Sequence, residues 1–298
     1  MIALPYGSVT LVGAGPGDAG LLTIRGLRAL ERADVIVADR LGARPVLDQL
    51  AAEGVRLSAE VIDVGKLPGH HRVPQEEINA LLVRHARAGR EVVRLKGGDP
   101  FVLGRGREEQ LYCEAEGIAV SVVPGITSAI SVPAVAGIPL THRGVATAFT
   151  VASAHDPIDR LPGGSDHTVV LLMGVGTLAH TAGVLAHADR GADCPVAIVE
   201  DGYGSGERVT IGTLGTIATL AALRQVRNPA VVVVGDVVRL SPHAARAPQG
   251  SWSEDAPGDR DETPRPWPAS PRRLPQPSTL LAERPRVPVR SDRRNLLP

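Results

Sequence analysis

The first 140 residues alternate short apolar runs with helical periodicity. Val9–Val12 is an apolar run bounded by glycines and predicts a buried strand. Leu21–Arg32 has apolar residues at 24, 27 and 30, one face of a helix. Val35–Ala38 predicts a second strand that ends at Asp39. Pro74–Ala88 predicts a helix, with Glu76 and Glu77 in the first turn and Gly89 as the stop. Glu91–Leu95 and Ile118–Val123 read as strands, Arg107–Glu116 and Ile126–Ala136 as helices. Such alternation implies a parallel sheet with helices on both faces.

After Pro139 the pattern changes. Strands are expected at Ala148–Ala152, Thr168–Leu172, Ala197–Glu200, Glu207–Ile211 and Ala230–Val234, with helices at Thr177–Ala188 and Thr213–Arg224. Two of these strands are neighbours across a Gly-rich turn, so the second sheet should be mixed. No internal repeat is present. From His243 onward the chain holds 11 of its 25 prolines and 10 arginines against seven acids. This composition predicts a disordered Pro/Arg-rich extension over 243–298. The expected division is 1–140, 141–242 and that tail.

Composition narrows the classes. A hydrophobic fraction of 43% supports buried cores. Thirty-two basic and 32 acidic residues cancel, which argues against a phosphate-clamping nucleic-acid binder. Apolar runs are too short to span a bilayer, so no membrane contact is expected. Met1-Ile2-Ala3-Leu4-Pro5 lacks the pattern of a secretion signal, and the expected location is cytoplasmic. Cys113 and Cys194 cannot build a disulfide framework or a four-ligand zinc site. His70 and His71 are adjacent rather than at helical spacing, and no metal is expected.

Candidate chemistry sits where strands end. Ligands of such sheets bind beyond the carboxyl ends of the strands. Gly13-Ala14-Gly15-Pro16-Gly17-Asp18 follows the first strand, and Asp39 ends the second. This resembles a dinucleotide fingerprint and keeps a nicotinamide-dependent dehydrogenase open. Asp18 stands where the third glycine would fall, however, and Pro16 removes a backbone N–H that a pyrophosphate would use. Lys96-Gly97-Gly98-Asp99-Pro100 and Pro124-Gly125-Ile126-Thr127-Ser128 follow two further strands. Glycines allow close backbone approach, and Asp99 favours hydroxyls or cations over phosphate. The two lysines of the chain, Lys66 and Lys96, both flank glycines at strand ends, where a tunable charge suits a cleft. His71, Arg72 and Arg143 lie in basic loop clusters able to pair with substrate carboxylates. A non-catalytic scaffold whose tail recruits partners is a third possibility.

Together these motifs resemble the uroporphyrinogen-III C-methyltransferases of the tetrapyrrole methylase family. The match includes Val12–Asp18, Asp39-Arg40-Leu41, Arg94–Phe101, Val123–Ser128, Ala136–Arg143, Leu172-Met173-Gly174 and Pro229–Gly235, in the same order, and covers residues 8 to about 240. A related methylase acting on a later corrin precursor is the near alternative. The resemblance implies two α/β domains with a cofactor cleft between them, the first sheet parallel and the second mixed, and a homodimer. It implies S-adenosyl-L-methionine as cofactor, S-adenosyl-L-homocysteine as its product, and a tetrapyrrole substrate methylated twice to precorrin-2. Cofactor contacts carried over are Pro16, Gly97, Gly98, Asp99, Val102, Thr127, Ser128, Met173 and Gly202. Asp39 matches the family's proposed base and Lys66 its proposed proton donor. Arg40, His71, Arg72, Arg105 and Arg143 are candidate counter-charges for substrate carboxylates. Against the family pattern, Leu103 and Val135 replace aromatics, Arg107 replaces a glycine, and the loop after Asp39, from Leu41 to Asp63, is several residues longer than usual.

Overall fold

Alternation of buried positions builds two five-stranded sheets. The computed structural model describes residues 6–39, 42–65 and 73–244. Arg40, Lys66, His71, Arg72 and the predicted extension beyond residue 244 lie outside these residues.

The first sheet is formed by β1 (Ser8–Gly13), β2 (Val35–Ala38), β3 (Glu60–Asp63), β4 (Val92–Lys96) and β5 (Ala119–Val123). Their order is β3-β2-β4-β1-β5, with every pairing parallel, as the alternating pattern predicts. Helices α1 (Ile24–Arg32) and α2 (Ala43–Ala52) cover one face, where Val12, Ile36, Ala38 and Leu95 pack with Leu30, Val46 and Leu50. Helices α3 (Gln75–Arg87) and α4 (Gly106–Ala115) cover the other, where Val9, Leu11, Val35, Val37 and Val92 meet Ile78, Leu82 and Cys113.

One expectation is corrected here. The stretch from Leu41 to Asp63 is not loop throughout: it contains α2 and the edge strand β3. Val46, Leu47 and Leu50 are buried at helical spacing, so apolar burial holds the helix despite a glycine at its N-cap. A second difference is small. The helix expected from Leu21 begins at Ile24, because the Thr23 hydroxyl caps it by accepting from Gly26 N at 3.0 Å.

Helix α5 (Ser128–Val135) leads to the second sheet. That sheet comprises β6 (Phe149–Ser153), β7 (Thr168–Leu172), β8 (Pro195–Glu200), β9 (Arg208–Thr213) and β10 (Ala230–Val234), ordered β6-β7-β10-β8-β9. It is mixed, as expected: β6 and β7 are parallel, and the other pairs antiparallel. Helices α6 (Leu178–Leu185) and α7 (Ile217–Leu223) pack on one face. Both are shorter than their patterns suggest. Beyond α6, Ala188 and Asp189 leave helical geometry while buried Arg190 donates to the carbonyls of His167 and Pro162. Thr213 ends β9 instead of starting α7.

On the opposite face, Ala129 and Val132 of α5 and Ala136 at its C-cap pack with Val170, Val199, Val231 and Val233. Helix α5 therefore starts at a strand end of the first sheet and buries its side against the second. This places the two sheets around one helix N-terminus.

Candidate active site

The carboxyl edge of the first sheet gathers three glycine turns. The turn after β1 and the turn after β4 bridge through Gly15 and Gly98: each accepts from the other, at 3.1 and 2.8 Å. The turn after β5 closes against both. A Cβ on Gly125 would stand 2.2 Å from the Gly98 carbonyl oxygen and 2.7 Å from the Gly13 Cα. A Cβ on Gly13 would stand 2.5 Å from the Gly125 nitrogen. Three backbones meet where side chains have no room. Thr127 then caps α5, its hydroxyl accepting from Ala129 N at 3.3 Å.

The acids of these turns serve them first. Asp99 accepts from Phe101 N at 2.8 Å and from Gly125 N at 3.1 Å, so its carboxylate locks the β4 turn to the β5 turn. Asp18 caps the short helical turn Ala19–Leu21 by accepting from Gly20 N at 2.7 Å. Gln49 of α2 holds the same loop, donating to the Gly17 carbonyl and accepting from Ala19 N. Pro16, Gly97, Gly98, Asp99, Thr127 and Ser128 thus lie in contiguous turns, with Gly98 beside Thr127 and Ser128. Val102 follows in the β4 turn, half-buried.

Gly202 reaches this region from the second sheet. A Cβ there would stand 2.8 Å from a Val132 methyl of α5. Its neighbour Tyr203 donates to the Ser131 carbonyl, and burial followed by the charges of Asp18 and Glu207 holds its phenol above the usual range. Met173 follows β7 in an exposed, left-handed conformation, φ +60°. Leu103, Arg105, Asp201 and Tyr203 share that strained region, as do Asp189 and Gln225 elsewhere in the second half.

Asp39 stands at the β2 end of the edge. Its backbone N–H donates to the Leu95 carbonyl, and its carboxylate is about one-third exposed. Arg94 Nη2 donates to Asp39 Oδ1 at 2.6 Å. Behind it Glu109, with no exposed surface, accepts from Arg94 Nε and Lys96 Nζ at 3.2 and 2.8 Å. Lys96 does not project into the cleft, contrary to the expectation from sequence. It is buried under the sheet, where desolvation and then Arg94 hold its ammonium below the usual lysine range against the pull of Glu109. Alternation explains this, since 92, 94 and 96 share the face packed on α3 and α4.

The remaining basic candidates are placed unevenly. Arg105 is exposed and bound by both oxygens of Glu108. Arg143 is exposed in the turn closed by the His142–Ala146 bridge. Sequence reasoning missed Arg94, Glu109, Gln49 and Tyr203 as parts of the site. Two charges at alternate positions of a buried strand, and an aromatic within Gly202-Tyr203-Gly204, were the available signals. Two cavities of about 460 and 560 Å³ open elsewhere, one beside Arg208 and Arg227 and one over α6; neither is lined by a candidate residue. Among the described residues no His, Cys, Asp and Glu cluster suits a metal ion, and no helix is long and apolar enough to cross a membrane.

Comparison with known proteins places the chain in a family. The sequence model of the tetrapyrrole (corrin/porphyrin) methylases matches residues 8–218. A Methanosarcina barkeri S-adenosyl-L-methionine-dependent uroporphyrinogen III methyltransferase is 48% identical over 243 residues, 79% of this chain and 93% of the relative. A siroheme synthase of Tolumonas auensis is 47% identical over 242 residues, 79% of this chain and half of the relative. The crystal structure of uroporphyrin-III C-methyl transferase from Thermus thermophilus, complexed with S-adenyl homocysteine, superimposes with a TM-score of 0.66 at 41% identity. That superposition covers 78% of this chain and all of the other.

Proposed function

The chain belongs to the tetrapyrrole (corrin/porphyrin) methylases, and from that membership we propose that it is an S-adenosyl-L-methionine-dependent C-methyltransferase. Its substrate is uroporphyrinogen III, which receives two methyl groups to give precorrin-2 and S-adenosyl-L-homocysteine. Precorrin-2 then serves sirohaem or cobalamin formation. One observation carries the reading: three glycine turns converge beside a partly exposed, arginine-held carboxylate.

The residues fit the cofactor. Its ribose and sulfonium need close backbone and hydroxyl or carboxylate acceptors, and no phosphate has to be bound. Gly13 and Gly125 let the three turns close on one another and Gly98 has no atom closer than 3.7 Å to a side-chain position, while Pro16, which lacks an N–H, and Asp18, which takes the N–H of Gly20, leave the β1 turn poor in free N–H donors. Pro16, Gly97, Gly98, Asp99, Val102, Thr127, Ser128, Met173 and Gly202 are the proposed contacts. Asp99 contributes through the turn that it locks. When bound, the cofactor supplies an electrophilic methyl group on a positively charged sulfur.

The chain's own residues do the rest. The turns hold the reactants in line, a contribution of roughly 7–11 kcal/mol in well-aligned systems. A methylated pyrrole carbon leaves the ring cationic until it loses a proton. Asp39 accepts that proton, and general-base help is typically ~10²–10⁴-fold. Lys66 is the proposed proton donor. Arg40, His71, Arg72, Arg105 and Arg143 pair with substrate carboxylates. Arg105 is available because an exposed ion pair such as that with Glu108 contributes little and yields to a competing carboxylate.

We take 1–140 and 141–242 as two α/β halves flanking the cleft, followed by a 243–298 extension. The protein acts in the cytoplasm as a homodimer, a state that light scattering reads directly. Incubation with uroporphyrinogen III and isotopically labelled S-adenosyl-L-methionine tests the activity, with methyls counted per product by mass. Two labelled methyls are expected. No transfer, together with thermal stabilisation by NAD and none by S-adenosyl-L-homocysteine, sinks the reading in favour of a dehydrogenase.

A further inference from the structure

Four charges are stacked under the carboxyl edge of the first sheet. Arg94 is 2% exposed, Lys96 4% and Glu109 not at all, and all three lie behind Asp39. Arg94 commits four of its five N–H donors to this corner. Nε donates to Glu109, Nη1 to the carbonyls of Val37 and Leu95 at 3.3 and 3.2 Å, and Nη2 to Asp39 Oδ1. Glu109 Oε1 receives Arg94, Lys96 and Gln75 Nε2, the last at 3.1 Å, whereas Oε2 has no partner among the described residues.

Buried ion pairs seldom add net stability, because desolvation offsets their attraction; apolar residues of similar volume usually serve as well. A buried arrangement of two cations and two carboxylates that ends on a cleft carboxylate therefore asks for a functional reason. The geometry supplies one. The planar fork of Arg94 is fixed by two carbonyls and by Glu109, and it grips one oxygen of Asp39. Oδ2 has no hydrogen-bond partner among the described residues. We propose that Arg94, braced by Glu109, is a positioning residue that holds the Asp39 carboxylate in the orientation from which its second oxygen takes the substrate proton. The inference rests on Asp39 being the base.

The test is a double-mutant cycle on the full chain. Asp39→Asn, Arg94→Lys, Glu109→Gln and the two combinations with Asp39→Asn are assayed for kcat, for KM of uroporphyrinogen III, and for S-adenosyl-L-homocysteine affinity by calorimetry. Arg94→Lys keeps the charge but loses the fork, and it is expected to lower kcat about 10- to 100-fold. Ligand affinity and KM should stay within about threefold of wild type, since the group acts on the proton-transfer step. In the Asp39→Asn background the same change should have almost no further effect on kcat, because its target is gone. If Arg94→Lys does not fold, Glu109→Gln decides, with the same loss in kcat and the same lack of additivity. Losses that add in full to that of Asp39→Asn, or unchanged kcat in both positioning variants, overturn the proposal and leave the base intact. Wild-type kcat in Asp39→Asn overturns both readings.

Discussion

The phenol of Tyr203 donates to the Ser131 carbonyl at 3.0 Å, tying the loop after β8 to the first turns of α5. The loop needs that tie. Asp201 and Tyr203 both hold left-handed backbone, φ +45° and +69°, and Gly202 lies between them against Val132. Glu207 accepts from Tyr203 N and Asp201 from Gly206 N, so the loop is pinned from its own side as well. Removing one anchor should displace Gly202 without unfolding the sheet. Tyr203→Phe deletes a hydrogen bond of about 0.5–1.5 kcal/mol, so S-adenosyl-L-homocysteine affinity is expected to fall about three- to tenfold. Calorimetry checks this, and an unchanged affinity would separate the loop from the cofactor.

Gly125 allows the closest approach in the site. An alanine methyl would meet the Gly98 carbonyl oxygen, a backbone atom that cannot rotate away. Gly125→Ala must therefore push the β4 and β5 turns apart, an overpacking cost of about 1–3 kcal/mol. The sheet retains its two large cores, so the variant should fold with a lower melting temperature. Its affinity for S-adenosyl-L-homocysteine should drop more than tenfold, or about 1.4 kcal/mol. Retention of wild-type affinity would show that the turns do not form the cofactor surface.

Asp99 joins the same two turns by charge. Each of its oxygens accepts a backbone N–H, and hydrogen bonds to a charged group are worth about 1.5–3 kcal/mol apiece. Asp99→Ala is expected to destabilise the protein by about 3 kcal/mol and to weaken cofactor binding, whereas Asp99→Asn retains one good acceptor and loses less. Urea unfolding of the two variants gives the comparison. Equal stabilities would mean that the carboxylate is idle in the free protein.

The parallel sheet was legible because its inner strands β2 and β4 are buried on both faces and β1 nearly so, and they read as runs of Val, Ile and Leu. The turns were legible too, since Gly97-Gly98-Asp99-Pro100 and Pro124-Gly125 have few uses except close approach at strand ends. Helix α2 was not, for its apolar residues Val46, Leu47 and Leu50 follow a poor N-cap and a proline, and β3 is an edge strand with half-polar sequence. Asp39, Arg94 and Lys96 are visible as charges in a sequence, but their common face emerges only from register: Ala38 pairs with Leu95, and both point to α1 and α2. The partner from α4, Glu109, comes from another helix and has no local signal at all. Lys96 misled for the same reason. A lysine next to two glycines looks like a cleft residue until strand alternation turns it inward.

The two thiols give a pH prediction. Cys113 and Cys194 are buried, and burial pushes each up to about 11 from an ordinary 9.0. In the unfolded chain they ionise near the ordinary value. Because the folded values are raised, the stabilisation from neutral thiols is complete below pH 9 and is lost as pH climbs from 9 to about 11. A two-unit shift corresponds to about 2–3 kcal/mol for each thiol. Stability measured by urea unfolding should therefore decline between about pH 9 and pH 11, and Cys113→Ala with Cys194→Ala should flatten that decline while lowering stability at neutral pH through the small cavities left behind. Thiol reagents supply an independent check. A buried thiol held neutral is a poor nucleophile, so neither cysteine should react at about pH 8 until denaturant is added. Fast labelling of the native protein would show that one of these helices or strands opens far more readily than its packing indicates.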